Sequence, residues 1–157
     1  MAWTDSRVGR IMVANQFSGA IVMDLDAPSD TYNMALYNNT GTPDKDATEA
    51  LFRYNTGAWV VANEVIDTLN TNWIAKGRAI SGLATTTPST GVVMVDCTDV
   101  TGAGNVTLTG FFGTFTFNDT KANDPGVCYN YLGGTQTISN GPVTIVIDAN
   151  GLFRATV

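Results

Sequence analysis

The sequence predicts a mainly β protein, an antiparallel β-sandwich or open barrel with one short N-terminal helix. Three observations predict it. Short apolar–polar alternations recur through residues 31–157 with turn signals every ~8–12 residues, the spacing of a sandwich or barrel. Thr (23) and Asn (14) fill nearly a quarter of the 157 positions, while Lys (3) and Glu (2) are scarce. Chains so composed have little with which to solvate long amphipathic helices, and threonine suits strands. No linker and no repeat of 20–50 residues divides the chain, so residues 1–157 read as a single domain.

The N-terminal stretch 4–17 reads as the helix. Thr4 or Asp5 is placed to cap it, and Val8, Ile11 and Met12 follow i, i+3, i+4 spacing. Residues 20–25 read as a short strand or a continuation of that helix, and the segment from Asp24 to Asp30 as a turn. In 31–37 the pattern has period 2, with Tyr32, Met34 and Leu36 on one face and Asn33, Ala35 and Tyr37 on the other. A loop at 38–44 follows from its Asn, Gly and Pro content. Residues 45–53 suit one or two helical turns, and 57–63 fits either a strand or the end of that turn. The stretch 64–90 is irregular, with a short strand possible at 77–83 and a breaker at 85–90.

Strand signals then dominate. Val92–Val95, 106–109 and 111–117 are strands, the last with Phe111, Phe115 and Phe117 on one face and Phe112, Thr114 and Thr116 on the other. A polar loop at 118–126 leads to a strand at 127–132, and 133–141 turns or bridges. In 143–147, Val143, Ile145 and Ile147 share a face. Asn150-Gly151 predicts a tight hairpin returning 152–157 antiparallel to 143–147.

Composition also excludes chemistries. The chain has no histidine, which removes Ser-His-Asp and Cys-His devices and the common histidine zinc sites; two cysteines cannot make a four-cysteine site. The net charge of −6 argues against nucleic acid as a partner, since that binding is driven by Lys and Arg. No apolar run approaches the roughly 20 residues of a membrane helix, so no membrane partner is expected. The first 17 residues lack an apolar core of leader length, which predicts synthesis in the cytosol. Cys97 and Cys128 then read as buried free thiols rather than a disulfide.

Each remaining candidate has a plain structural reading beside it. Asp24, Asp26 and Asp30, like Asp96 and Asp99, read as turn formers rather than calcium ligands, because the EF-hand spacing is missing. Gly102, Gly104, Gly133 and Gly134 precede no helix, so they read as turn glycines, not a phosphate cradle. Trp3, Trp59, Trp73, Tyr129 and Tyr131 could stack on a sugar, which keeps a carbohydrate-binding module as an alternative. No nucleophile context stands out, and no enzyme, cofactor or metal is expected.

Five segments in order resemble a family of small structural proteins from the head and tail gene clusters of tailed phages, including phages of actinobacteria. They are VGRI (8–11), NMALYNNTGTP (33–43), NEV (63–65) followed by Trp73 to Ile80, VVMVDCTDV (92–100), and VTIVIDANGLFRATV (143–157). Met94 and Cys97 depart from the family pattern, and Ile147 stands where tryptophan is usual. The resemblance implies a non-enzymatic virion component assembled in the host cytoplasm. It would be either a capsid decoration protein bound to the major capsid protein or a minor tail protein among tail proteins, with pairing with itself as a further option. It carries no catalytic residues. The low charge is in keeping with a surface meant to be covered, since interface cores are depleted of Lys, Glu and Asp. The expected contact residues are Trp3, Arg7 and Arg10 at the N-terminal helix, Asn38 and Asn39 in the loop at 38–46, and Lys121 in the loop at 118–126.

Overall fold

The computed structural model describes residues 3–26 and 29–156. The elements are β1 (Arg7–Val8), α1 (Arg10–Ser18), β2 (Tyr32–Tyr37), β3 (Arg78–Ala79), β4 (Ala84–Ser89), β5 (Val92–Asp96), β6 (Val100–Thr101), β7 (Val106–Asn118), β8 (Gly126–Gly141), β9 (Thr144–Ile145) and β10 (Phe153–Thr156). The fold is mainly β, with antiparallel sheets and one short N-terminal helix, as the sequence predicts. The central sheet has the order β1-β8-β7-β2-β3; a second has β10-β5-β4, and β6 pairs with β9. Residues 27–28, within the expected turn before β2, and Val157, at the end of the expected last strand, lie outside the described residues.

Every residue of β2 is buried, because both faces of the central sheet are covered. Tyr32, Met34 and Leu36 enter one core with Leu108, Cys128, Val95, Val100 and Ile145, which joins the central sheet to the other two sheets. Ala35 and Tyr37 enter a second, aromatic core with Trp3, Phe52, Trp59, Phe115, Phe117 and Tyr129. The period-2 reading of β2 therefore holds, and alternation along one strand feeds two cores.

Several boundaries differ from expectation. The helix begins at Arg10, not at residue 4, because Arg7 and Val8 are extended and pair with Tyr129 and Cys128 of β8. Its N-cap is Gly9, whose extended backbone makes no side-chain cap. A Cβ on Gly9 would lie 2.2 Å from the Phe52 ring, so the aromatic core requires glycine there. Residues 20–25 form neither strand nor helix, and 45–53 make turns without a helix. Residues 57–63 form two single 3₁₀ turns, Gly57–Trp59 and Val61–Asn63, in place of a strand.

The breaker at 85–90 is in fact strand β4. Pro88 is tolerated because β4 is an edge strand and its register with β5 shifts between Thr86 and Ser89. The stretch 133–141 is not a turn either. It continues β8, with 132–135 bulging outward where the pairing passes from Phe111↔Gln136 to Gly113↔Tyr131. Gly133 and Gly134 supply the positive φ values of that bulge. The shift also flips faces: Phe111 enters the core with Leu108, while Phe115 and Phe117 enter the aromatic core. Phe112 follows them and stacks on Tyr131 at 5.6 Å.

The C-terminal hairpin does not form as expected. A turn at 148–151 is present, with the Gly151 N–H donating to the Asp148 carbonyl at 2.7 Å. Its flanks pair elsewhere, β9 with β6 and β10 with β5. A two-residue Asn-Gly hairpin needs positive φ at both centres, and here Gly151 has it but Asn150 does not. Val143 and Ile145 face the core together and Ile147 packs against it, as the alternation predicts.

Candidate interaction surface

The N-terminal segment, the loop at 38–46 and the start of α1 meet on one surface. The Trp3 backbone N–H donates to Asn39 Oδ1 at 3.2 Å, and the Arg10 N–H to the Lys45 carbonyl at 2.8 Å. At the other end of the helix, Lys121 lines a shallow hollow with Ile21, Val22 and Glu49. Helix α1 thus bridges the regions that the sequence marks for contact.

Trp3 is a correction. It is only 3% exposed and meets Trp59 and Tyr129 edge-on at 5.6 and 6.0 Å, so it holds the N-terminal segment in place and does not face a partner. Arg7 and Arg10 are exposed, but each has an acid beside it: Asp5 at 3.0 Å and Asp46 at 3.4 Å. Asp46, held by Lys45 and then by Arg10, keeps its carboxyl below the usual carboxylate range. Asn38 caps its own loop by accepting from the Thr40 N–H at 2.8 Å, and Lys121 pairs with Asp30 at 3.2 Å.

Beside the expected Arg10, the outer face of α1 exposes apolar residues that the sequence reading did not name. Arg10, Val13, Ala14 and Phe17 are exposed at i, i+3, i+4, i+7 spacing, while Met12 and Asn15 point inward. Phe17 is 89% exposed, and Val22 just beyond the helix is 61% exposed. The face is rigidly presented. Gly19 ends the helix with φ 70, and the Gln16 amide clamps the return: Nε2 donates to the Met23 carbonyl at 2.6 Å, and Oε1 accepts its N–H at 2.9 Å. The Val13/Phe17 spacing was visible in the sequence, but the neighbouring Val8, Ile11, Met12 stripe gave an equally good face, and α1 is too weakly amphipathic for pattern to choose.

The other candidates resolve into structure. Trp73 is buried in the first core and Trp3, Trp59 and Tyr129 in the aromatic one, so these four form no exposed platform for a sugar. The aspartates hold loops: Asp24 accepts from the Asp26 N–H, Asp26 from Thr85, Asp96 from Cys97 and Asp99 from Ile147, at 2.9–3.1 Å. Among the described residues, no group of three or more His, Cys, Asp or Glu side chains is placed to hold a metal ion. No helix among them is long and apolar enough to cross a membrane. Both cysteines are free and buried. No family model, curated protein or solved structure matches this chain.

Proposed function

We propose that this protein is a virion structural protein of a tailed phage, a capsid decoration protein that binds the shell lattice through protein–protein contacts. The ordered motifs from residue 8 to residue 157 support the phage reading. The single observation that carries the binding role is the outward apolar face of α1, with Phe17 standing out from its last turn. A short helix ordinarily turns its apolar stripe inward, and a large aromatic left outside at fixed geometry suits an anchor for a partner's pocket. Modest affinity per copy suffices, because a symmetric lattice repeats the contact.

Phe17→Asp is the direct test. Loss of a central aromatic anchor costs about 2 kcal/mol or more, roughly thirtyfold in affinity, so the variant should fold normally yet be depleted from purified particles. Unchanged occupancy with an intact fold refutes docking through α1. Copy number in the particle then separates the two locations: hundreds of copies mean the shell, and a handful mean the tail.

A further inference from the structure

Strand β8 is covered along its outer edge only at its start. There β1 pairs with Cys128 and Tyr129, and the Ser6 hydroxyl accepts from the Tyr131 N–H at 3.0 Å. From Leu132 to Gly141 the strand has β7 on one side, and among the described residues no strand lies on the other. An uncovered edge offers alternate N–H and C=O groups to another chain. Thr135, Gln136, Thr137 and Ser139 are exposed along it, and Ile138 is half-buried. A hollow of about 440 Å³ adjoins this stretch, lined by Phe111, Leu132, Ile138, Val143 and Val146, the last 72% exposed.

Proteins blunt such edges with proline, charge, brevity or a cover. The other edges follow that rule. In β4 stands Pro88, and Asp26 Oδ1 and the Leu25 carbonyl accept from the Thr85 N–H and hydroxyl. Strands β1, β3, β6 and β9 have two residues each, and β10 has four, with Arg154 among them. The free part of β8 has neither proline nor charge. None of the 8 basic and 14 acidic side chains falls within 100–118 or 125–147, the stretches that hold β6, β7, β8 and β9.

Unpaired backbone calls for an extended strand as occupant. Its source follows from charge and symmetry. Two chains of net charge −6 repel one another, and the uncharged zone is where they meet at least cost. A foreign strand added here would leave its own far edge open, whereas two identical edges pairing antiparallel close each other by two-fold symmetry. We infer that β8 from Thr135 to Ser139 is a homodimer edge, paired antiparallel with the same segment of a second copy. Threonine and serine side chains then meet across the seam, and the second strand lies beside the apolar lining of the hollow. Helix α1 sits at the opposite end of β8, where the Gly9 N–H donates to the Val127 carbonyl at 3.1 Å. From Val127 to Thr137 the strand spans roughly 30 Å at ~3.3 Å per residue, so this pairing leaves the outer face of α1 free and is independent of docking through it.

The test combines sedimentation equilibrium with amide hydrogen exchange of the full chain over a concentration series. With rising concentration the mass should approach twice the 16.6 kDa of one chain. Edge amides within Thr135 to Ser139 should then exchange about tenfold or more slowly than in dilute protein, while those of β10 stay unchanged. Gln136→Lys combined with Ser139→Lys places lysines on the edge and should weaken the dimer about tenfold or more, with the far-UV circular dichroism unchanged. Phe17→Asp should dimerise like the unmodified chain, so failure of this inference and failure of docking through α1 are told apart. A monomer up to about 1 mM, a dimer without new protection in 135–139, or a double-lysine variant that dimerises as tightly overturns the inference. The first two outcomes need no variant, so they stand even if the double substitution fails to fold.

Discussion

Trp59→Ala is the substitution that tests the aromatic core most severely. Trp59 is 1% exposed and stacks on Phe115 at 4.1 Å and 7°, with Tyr37, Phe52 and Trp3 edge-on at 5.4, 6.2 and 5.6 Å. An aromatic side chain buries roughly 150–250 Å², which at ~25 cal/mol per Å² is about 4–6 kcal/mol before subtracting the alanine that remains. Large-to-small core changes of this type cost about 3–5 kcal/mol, so we expect about 4. Domains hold together by only about 5–15 kcal/mol, so the variant should be folded but marginal. At this chain length about 2–4 °C is lost per kcal/mol, a Tm drop of roughly 8–16 °C. Denaturant unfolding followed by far-UV circular dichroism reads the change without relying on the deleted fluorophore. The Tyr37 hydroxyl, which donates to the Trp59 carbonyl at 2.7 Å, keeps its backbone partner, so lost packing dominates. A loss below about 0.5 kcal/mol, the range of ordinary surface changes, would mean these rings do not form a packed core.

Two further outcomes follow from buried titratable groups. Burial raises the Glu64 carboxyl above its ordinary value, even though Tyr54 donates to Oε2 at 2.6 Å, and Oε1 has no partner. The folded state therefore binds this proton more readily than the unfolded state, and stability falls as pH rises from the unfolded value through the folded one. Glu64→Gln should raise stability at about pH 8 and do little at about pH 4; an equal effect at both, from denaturation midpoints, contradicts this. The Cys97 and Cys128 thiols are each pushed up to about 12, first by burial. Iodoacetamide at about pH 8 should leave both unmodified in the native protein and alkylate both in denaturant, and rapid native labelling of either refutes its burial.

Legibility from sequence followed the range of the interactions that decide each element. The alternation of β2 and of 143–147 was readable because side-chain period depends only on the local backbone. The Asp148–Gly151 turn was readable for the same reason. Which strands flank that turn as partners was not, because β5 and β6 lie some fifty residues upstream and compete for the same edges. Faces along β7 were legible on either side of the bulge but not across it. Gly110, with φ 74, and the 132–135 bulge shift the register, and nothing in 111–117 alone announces that shift. At the surface, the burial of Trp3 was not legible. Tryptophan at the terminus looked available, yet Gly113 leaves room for its ring, since a Cβ there would lie 1.9 Å from it.

The charge deficit bears on how such a surface can work. Among the described residues Arg7, Arg10, Lys45, Arg53, Lys76 and Lys121 each have a carboxylate within ion-pair reach. Lys76 bridges two acids, Asp119 at 2.5 Å and Asp124 at 2.9 Å, and both hold its ammonium above its ordinary value. Cations already paired at home offer a partner little net field, and exposed pairs are worth little energy in either direction. Recognition through Arg7 and Arg10 would have to break those pairs first. On the outer face of α1 only Arg10, among the described residues, carries such a pair; the side chains of Val13, Ala14 and Phe17 hold none. Covering them removes apolar surface from water without separating a charge pair. On the docking role proposed above, the scarcity of Lys and Glu and the outward phenylalanine both favour selection of a partner by contact area and packing over selection by long-range charge.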